Sequence, residues 1–388
     1  MFAKVIAALR APGHYLVAMG LIWGISGCGD TDKNHPVIEK KVDVLIYGAT
    51  PSGIMAAYSA KKAGLSVVIV EPGRWVGGIL GAGLKPTQDM PNYAAVGGKT
   101  RELMLTLGVR NPPENYTIDD VHRLSRTDIS PKYVREDFLK LLEENHIEVI
   151  YNHRVNRMVK SGLTLQEAIF DLAPYDNTGC PSPEAEKYEN LKVAAKVFID
   201  AGYEGDLMAR SGVSFKVGRE STKDFSEDHA GVRPIGSYVQ TRVDKESAES
   251  HGLGNITPIS PFVVPNDPSS GLLKHVENDH RKELGAGDHY TQAYNFRFYV
   301  TDDPSRKATI TPPEGYDPMD FELVGRYVEY LKSIIPDPEI LHKRLSWIFP
   351  GWLNAGEYNY HRRSLFTMAP LGVSHLYANG DYATKSMV

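Results

Sequence analysis

A short apolar run, Val42 to Tyr47 (VDVLIY), passes directly into Gly48-Ala49-Thr50-Pro51-Ser52-Gly53 and then into an alanine-rich stretch, Ile54 to Ala63. No other feature of the chain constrains its fold as much. A run of β-branched and apolar residues without alternation suits a strand buried on both faces of a parallel sheet. The alanine-rich stretch reads as a helix, closed by Gly64 just past its end, where a left-handed residue is wanted. Ser66 to Val70 (SVVIV) is a second strand, and it ends at Glu71. One strand–helix–strand unit is therefore complete within about 30 residues.

The glycine loop of such a unit has a chemical use. A diphosphate needs backbone N–H donors at close range and a helix N-terminus directed at it. Gly48 permits the tight turn out of the strand, and Gly53 lets helix and strand approach closely. Thr50 stands where the middle glycine is usual, which departs from the plain GxGxxG pattern. Glu71 lies 18 residues beyond Gly53 at the tip of the second strand. A carboxylate there accepts hydrogen bonds from ribose hydroxyls and disfavours a 2′-phosphate. The spacing thus predicts a dinucleotide site made of Gly48, Ala49, Thr50, Pro51, Ser52, Gly53 and Glu71; the competing reading is a turn of the same shape with no ligand.

Downstream, Pro72 to Gly98 is rich in glycine, with doublets at Gly77-Gly78 and Gly97-Gly98, and reads as neither packed helix nor strand. Ser130-Pro131 is an N-cap and first-turn pair. The helix it opens carries Val134, Phe138, Leu141 and Leu142 on one face. Glu148 to Tyr151 reads as a third parallel strand, Val155 to Val159 and Leu165 to Leu172 as a more exposed pair, Ala173 to Leu191 as a loop, and Lys196 to Asp200 as another buried strand. A short helix follows at Gly205 to Ser211, with Asp206 as its expected N-cap. From residue 216 the chain becomes rich in Pro, Asp and His. Gln292 to Val300 reads as a strand with alternating aromatics, and Phe321, Val324, Val328, Leu331 and Ile334 mark an amphipathic helix ended by Pro336.

The expected architecture is an α/β, three-layer, Rossmann-like dinucleotide-binding domain on a parallel sheet over residues 42–215, with a glycine-rich excursion at 72–129. A second, mixed α+β domain on the substrate side is expected over 216–388. A formal net charge of -5, with no acidic or basic half, gives no support for nucleic acid as a partner. Lys4 and Arg10 precede an apolar run from Tyr15 to Gly27, too short for a bilayer-spanning helix of roughly 20 residues but suited to a signal peptide. The run ends in Ile25-Ser26-Gly27-Cys28, which resembles a bacterial lipobox. Residues 1–28 are therefore expected to be a lipoprotein signal peptide with Cys28 as the lipidated residue, and 29–41 a polar tether. An exported protein, anchored to the membrane by lipid, is the expectation. The only other cysteine is Cys180, so there is no CxxC pair and no four-cysteine set for an iron–sulfur cluster.

The segment Glu71-Pro72-Gly73-Arg74-Trp75-Val76-Gly77-Gly78 resembles the second glycine motif of flavoproteins that bind two dinucleotides, which favours FAD over NAD. A longer likeness is visible in GATPSGIMAA (48–57), the glycine stretch ending at Leu84, IDAGYEGDLMARSGVSFKVGRES (199–221) and QAYNFRFYVTDDP (292–304). Together these resemble the bacterial FAD-dependent oxidoreductase family related to the flavin subunit of CoB–CoM heterodisulfide reductase. The resemblance implies FAD as cofactor, with Pro72, Gly77, Gly78, Ala201 and Gly202 against it and the Val155 backbone at the adenine. Gly202 stands where the family usually has Thr. The family also continues past this point with a late strand and a helix that close the flavin site, so the resemblance implies a truncated chain with an incomplete substrate-side domain.

Arg297 and Tyr294, on the aromatic strand with Asn295, are the candidate substrate-side polar groups; a structural ion pair is the plainer use of such an arginine. Three functional readings stand at this point: an FAD-dependent oxidoreductase acting on a small organic substrate, an NAD-dependent dehydrogenase, and a non-catalytic, membrane-anchored dinucleotide-binding protein. An RNA-modifying flavoprotein conflicts with the export signal and the charge.

Overall fold

The computed structural model describes residues 36–82, 95–111, 114–117, 130–173, 189–232, 259–274, 276, 283–291, 298–301, 303–306, 308–309, 311–312, 314–346, 352–354, 357–360 and 376–387. Strand β1 (Ile38–Tyr47) leads into helix α1 (Pro51–Lys62), and strand β2 (Val67–Val70) lies parallel to β1 with Leu45 opposite Val68. Helices α2 (Gly78–Gly81), α3 (Gly98–Thr106) and α4 (Pro131–Glu144) precede strand β3 (Glu148–Ile150), which pairs parallel with β2. Strands β4 (His153–Ser161), β5 (Thr164–Leu172) and β6 (Glu189–Asp200) follow.

These six strands form one sheet in the order β3-β2-β1-β6-β5-β4. The pairs from β3 to β6 are parallel, while β5 and β4 are antiparallel to their neighbours. The fold is therefore α/β, with the parallel strands that the first strand–helix–strand unit dictates and an antiparallel extension. Helix α5 (Asp206–Arg210) follows β6. Beyond it lie β7 (Phe298–Thr301), α6 (Glu322–Ile334), α7 (Pro338–Ser346), β8 (Trp352–Asn354), β9 (Glu357–Tyr360) and α8 (Tyr382–Met387). The strands β7, β9 and β8 make a small antiparallel sheet in that order.

Both faces of β1 are buried over its last four residues, Val44 to Tyr47, which is why its sequence does not alternate there. On one face Val44 and Ile46 pack with Ile54 and Ala57 of α1 and with Val134, Phe138 and Leu142 of α4. On the other, Leu45 and Tyr47 pack with Val155 of β4 and Phe170 of β5. In sheet order β4 is three places from β1, so the antiparallel extension must curl back over the sheet to make this contact. The Tyr47 and Phe170 rings stack with centroids 6.0 Å apart. Each such fully buried large side chain contributes about 1.5–3 kcal/mol relative to exposure.

Four local expectations are corrected. β1 begins at Ile38, inside the stretch expected as tether, because its first residues pair with an equally early part of β6 (Ile38 opposite Leu191). β6 itself begins at Glu189, so residues 189–191 are strand and not loop. The glycine-rich stretch does contain a helical turn, α2, entered through the left-handed Gly77. Gly205, not Asp206, caps α5; it sits at φ 71, and Asp206 is the first helical residue. No helix among the described residues is long and apolar enough to cross a membrane.

Candidate functional site

The carboxyl ends of β1, β2 and β6 meet around the loop that joins β1 to α1. Gly48 leaves the strand at φ +100, and a Cβ there would stand 3.0 Å from the Ala201 carbonyl carbon. At Gly53 a Cβ would stand 2.0 Å from the Gly48 carbonyl oxygen, so α1 can start this close only without a side chain at that position. Thr50 is the N-cap: its Oγ1 accepts from the Gly53 N–H at 3.2 Å. The same hydroxyl donates to the Ala201 carbonyl at 2.8 Å, tying the loop to the end of β6. A threonine in the place of the middle glycine thus closes the loop against its neighbour strand. Pro51 supplies the first helical residue and no N–H. Among the described residues the Thr50 and Ser52 N–H groups meet no acceptor.

Glu71 points into this loop. Its Oε2 accepts from the Ala49 N–H at 2.5 Å and its Oε1 from the Gly73 N–H at 2.6 Å. Burial raises its pKa above the ordinary value, and the two backbone donors only partly oppose that. Each oxygen keeps a lone pair for a further donor. The turn after Glu71 is fixed on its other side: the Asn152 N–H donates to the Gly73 carbonyl at 3.0 Å. Pro72 lies half-buried in that turn.

Gly77 and Gly78 are both left-handed, at φ +89 and +46. The Gly77 N–H donates to the Ala49 carbonyl at 2.8 Å, which lays the second glycine motif against the first. A Cβ on Gly78 would stand 2.2 Å from the Tyr203 hydroxyl, and that hydroxyl accepts from the Ile79 N–H at 2.9 Å. Ala201 donates its N–H to the Tyr47 carbonyl at 2.8 Å. The Gly202 N–H is held by Asp200 Oδ1 at 3.0 Å, and Asp200 Oδ2 takes the Met208 N–H at 2.8 Å. A Cβ on Gly202 would meet nothing closer than that Oδ1 at 3.1 Å, so the family's threonine would need only a slight shift here.

The observed parts are a glycine-permitted cradle, a capped helix N-terminus with unpaired N–H groups, and a half-buried carboxylate at the sugar position. They fit the diphosphate and ribose of an adenine dinucleotide. The family model described as FAD dependent oxidoreductase matches residues 43–366. The chain belongs to the FAD-dependent oxidoreductase family. FAD is the cofactor of this family, and its members are oxidoreductase enzymes. No curated protein matches the chain. Among solved structures, THI4 of Thermovibrio ammonificans aligns at 20% identity over 46% of this chain and 66% of its own, with a TM-score of 0.32. The L-amino acid deaminase of Proteus vulgaris aligns at 13% identity over 50% of this chain and 54% of its own, also at 0.32. The L-proline dehydrogenase of P. horikoshii aligns at 15% identity over 51% and 27%, at 0.25. The chain spans about two thirds of the first of these proteins, about half of the second and about a quarter of the third.

For this FAD-dependent oxidoreductase family member, the loop 48–53, Glu71, Pro72, Gly77, Gly78, Ala201 and Gly202 all come to one sheet edge. Val155 is fully buried on β4, two residues beyond His153, whose N–H donates to the Glu71 carbonyl at 3.2 Å; the Val155 carbonyl accepts from the Tyr382 hydroxyl at 3.2 Å and its N–H lies 3.5 Å from the Tyr47 hydroxyl. Arg297 and Tyr294, with Asn295, lie outside the described residues, as does Cys28. Among the described residues no group of three or more His, Cys, Asp or Glu could hold a metal ion. Sequence reasoning did not foresee that the Tyr203 hydroxyl covers Gly78. Its signal was present, one residue beyond Gly202 in the AGYEGD stretch. It also missed Tyr382, whose contact with Tyr47 spans 335 residues and leaves no local trace.

Proposed function

We propose that this chain uses bound FAD to move a hydride or electrons to or from a small organic substrate. Bound FAD would supply the hydride-accepting ring, which no side chain replaces. The observation that carries the reading is the Glu71 carboxylate, fixed by the Ala49 and Gly73 N–H groups at the mouth of the glycine loop. Glu71 would hold the ribose, and the Thr50 and Ser52 N–H groups the diphosphate. Gly48 and Gly53 keep the loop free of side chains where the backbone must come close. Gly77 and Gly78 would let the chain pass along the cofactor, with Tyr203 covering them. The kinship with the heterodisulfide reductase flavin subunit is supported by the four ordered segments named above. It carries no iron–sulfur cluster over, since the chain has only 2 Cys.

The amino-terminal pattern ending at Cys28 supports an exported, lipid-anchored protein. Residues 216–388 are proposed to face the substrate. Anaerobic mixing of the full chain, loaded with FAD, against small alcohols, amines and organic acids is the test. Bleaching of the flavin absorbance by one class supports the reading; a chain that takes up NAD and not FAD overturns it.

A further inference from the structure

A cavity of 570 Å³ opens between α5 and the segment leading into α8. Cavities of roughly 300–1,000 Å³ suit small ligands. Met208, Phe215 and Val217 give it an apolar wall, and charged side chains complete the lining. Most of those charges are already used. Asp206 pairs with Lys385 at 2.7 Å, Lys216 pairs with Asp224, and Asp381 caps α8 by accepting from the Thr384 N–H at 2.8 Å.

Two are not used. Arg210 is exposed and makes no hydrogen bond or ion pair among the described residues; Asp171 and the Tyr382 hydroxyl act on it only at electrostatic range. Glu204 is half-buried; its carboxyl accepts from its own backbone N–H and has no side-chain partner, with Lys385, Asp206 and Asp200 acting on it at range. Burial pushes its carboxyl up from the ordinary value. Thr291 borders the same cavity, and its hydroxyl oxygen is enclosed with no hydrogen-bond partner.

A guanidinium with no partner among the described residues and a carboxyl with no side-chain partner line one cavity with an apolar wall, and together they suit a ligand that carries both complements. We infer that this cavity binds a small organic carboxylate that also carries a hydrogen-bond donor, the carboxylate held by Arg210 and the donor by Glu204. The planar guanidinium fork suits a carboxylate, which it can engage through two N–H groups at once. The donor is a hydroxyl or an ammonium, and both are served by the same carboxyl. The inference rests on the proposed function only in calling this ligand the substrate.

Ligand-observed NMR on the full chain, with glycolate, glycine, acetate and glycerol as probes, tests it. Saturable binding of glycolate or glycine, tighter than acetate or glycerol, is expected. Arg210→Met should weaken it by about tenfold or more, the size expected for a charge-assisted hydrogen bond, and Arg210→Lys by less. Glu204→Gln should reduce the preference over acetate. Circular dichroism checks that each variant is folded; Arg210 is exposed, so its removal leaves the core alone. Absence of saturable binding by the wild-type chain, or binding unchanged in Arg210→Met, overturns the inference. The readout needs no flavin, so a chain that binds glycolate through Arg210 but refuses FAD would sink the proposed function and leave this inference standing.

Discussion

The Glu71 carboxylate accepts the Ala49 N–H at 2.5 Å across the crevice between the first two strands. This contact joins the tip of β2 to the turn out of β1 and aims a half-buried acid at the place a ribose would take. Replacing Glu71 with Ala strands the Ala49 and Gly73 N–H groups, at about 1–3 kcal/mol for each buried donor left unpaired. FAD affinity, read by quenching of flavin fluorescence, should fall by at least tenfold in Glu71→Ala.

The same residue sets a pH dependence. Its folded pKa lies above the ordinary 4.5, so the folded state holds a proton that the unfolded state has released. The contribution to stability is complete below that ordinary value and is lost as pH rises through the raised folded pKa. Melting temperatures of the flavin-free protein measured upward from pH 4.5 should fall in this window for the wild type, relative to Glu71→Gln. A difference between the two that does not change with pH would show that the carboxyl is not desolvated.

Thr50 serves as helix cap and as tie to β6, accepting from Gly53 and donating to Ala201. Thr50→Val keeps the shape and removes both bonds, and a lost cap alone costs about 0.5–2 kcal/mol. Thr50→Ser keeps both bonds and should stay close to wild type. Thr50→Gly restores the usual glycine but leaves Ala201 without its donor, so it should rank between Ser and Val. Urea unfolding of the three variants gives the order.

The two glycine motifs should respond differently to alanine. At Gly53 the added Cβ meets backbone, the Gly48 carbonyl, which has nowhere to go. Overpacking of this kind costs about 1–3 kcal/mol or more and should abolish FAD binding. At Gly78 the obstacle is the far end of Tyr203, which can swing away. Gly78→Ala should therefore cost mainly the left-handed backbone strain, about 1–2 kcal/mol. Part of any extra loss should return in the double variant Gly78→Ala, Tyr203→Ala. Chemical unfolding and FAD titration of both single variants separate the cases.

Tyr382 closes the edge of the sheet from the far end of the chain. Its hydroxyl donates to the Val155 carbonyl and lies 3.2 Å from the Tyr47 hydroxyl, while the Arg154 guanidinium sits 4.4 Å from its ring. Tyr382→Phe keeps the ring and should cost about 0.5–1.5 kcal/mol. Tyr382→Ala also forfeits the packing and should cost about 3 kcal/mol, near the low end for losing a large aromatic. Equal losses in the two variants would mean that the ring contributes nothing.

The strand–helix–strand unit was legible because its signals are local: an unbroken apolar run, a loop whose glycines have steric reasons, and an acid at a fixed distance. Ser130 and Pro131 announced α4 in the same way, and Ser130 Oγ does accept from the Lys132 N–H at 3.3 Å. The early part of β6 was not legible. Its segment Glu189–Lys192 mixes charge with Leu191, and pairing with Ile38 and Glu39 of β1 on one side and with Ile169, Phe170 and Asp171 of β5 on the other makes it a strand. α5 was placed correctly but its cap was not, because the left-handed glycine outweighs the polar side chain beside it. The clustering of Tyr47, Val155 and Tyr382 depends on the curl of the antiparallel strands, a tertiary event that no local pattern encodes.

Titration of the purified full chain with FAD, beside the Glu71→Ala variant, tests the central claim most directly. The account expects one FAD per chain, yellow after gel filtration, and binding at least tenfold weaker in the variant. A chain that stays colourless with FAD, or a variant that binds it as tightly as the wild type, would contradict the assignment of this crevice.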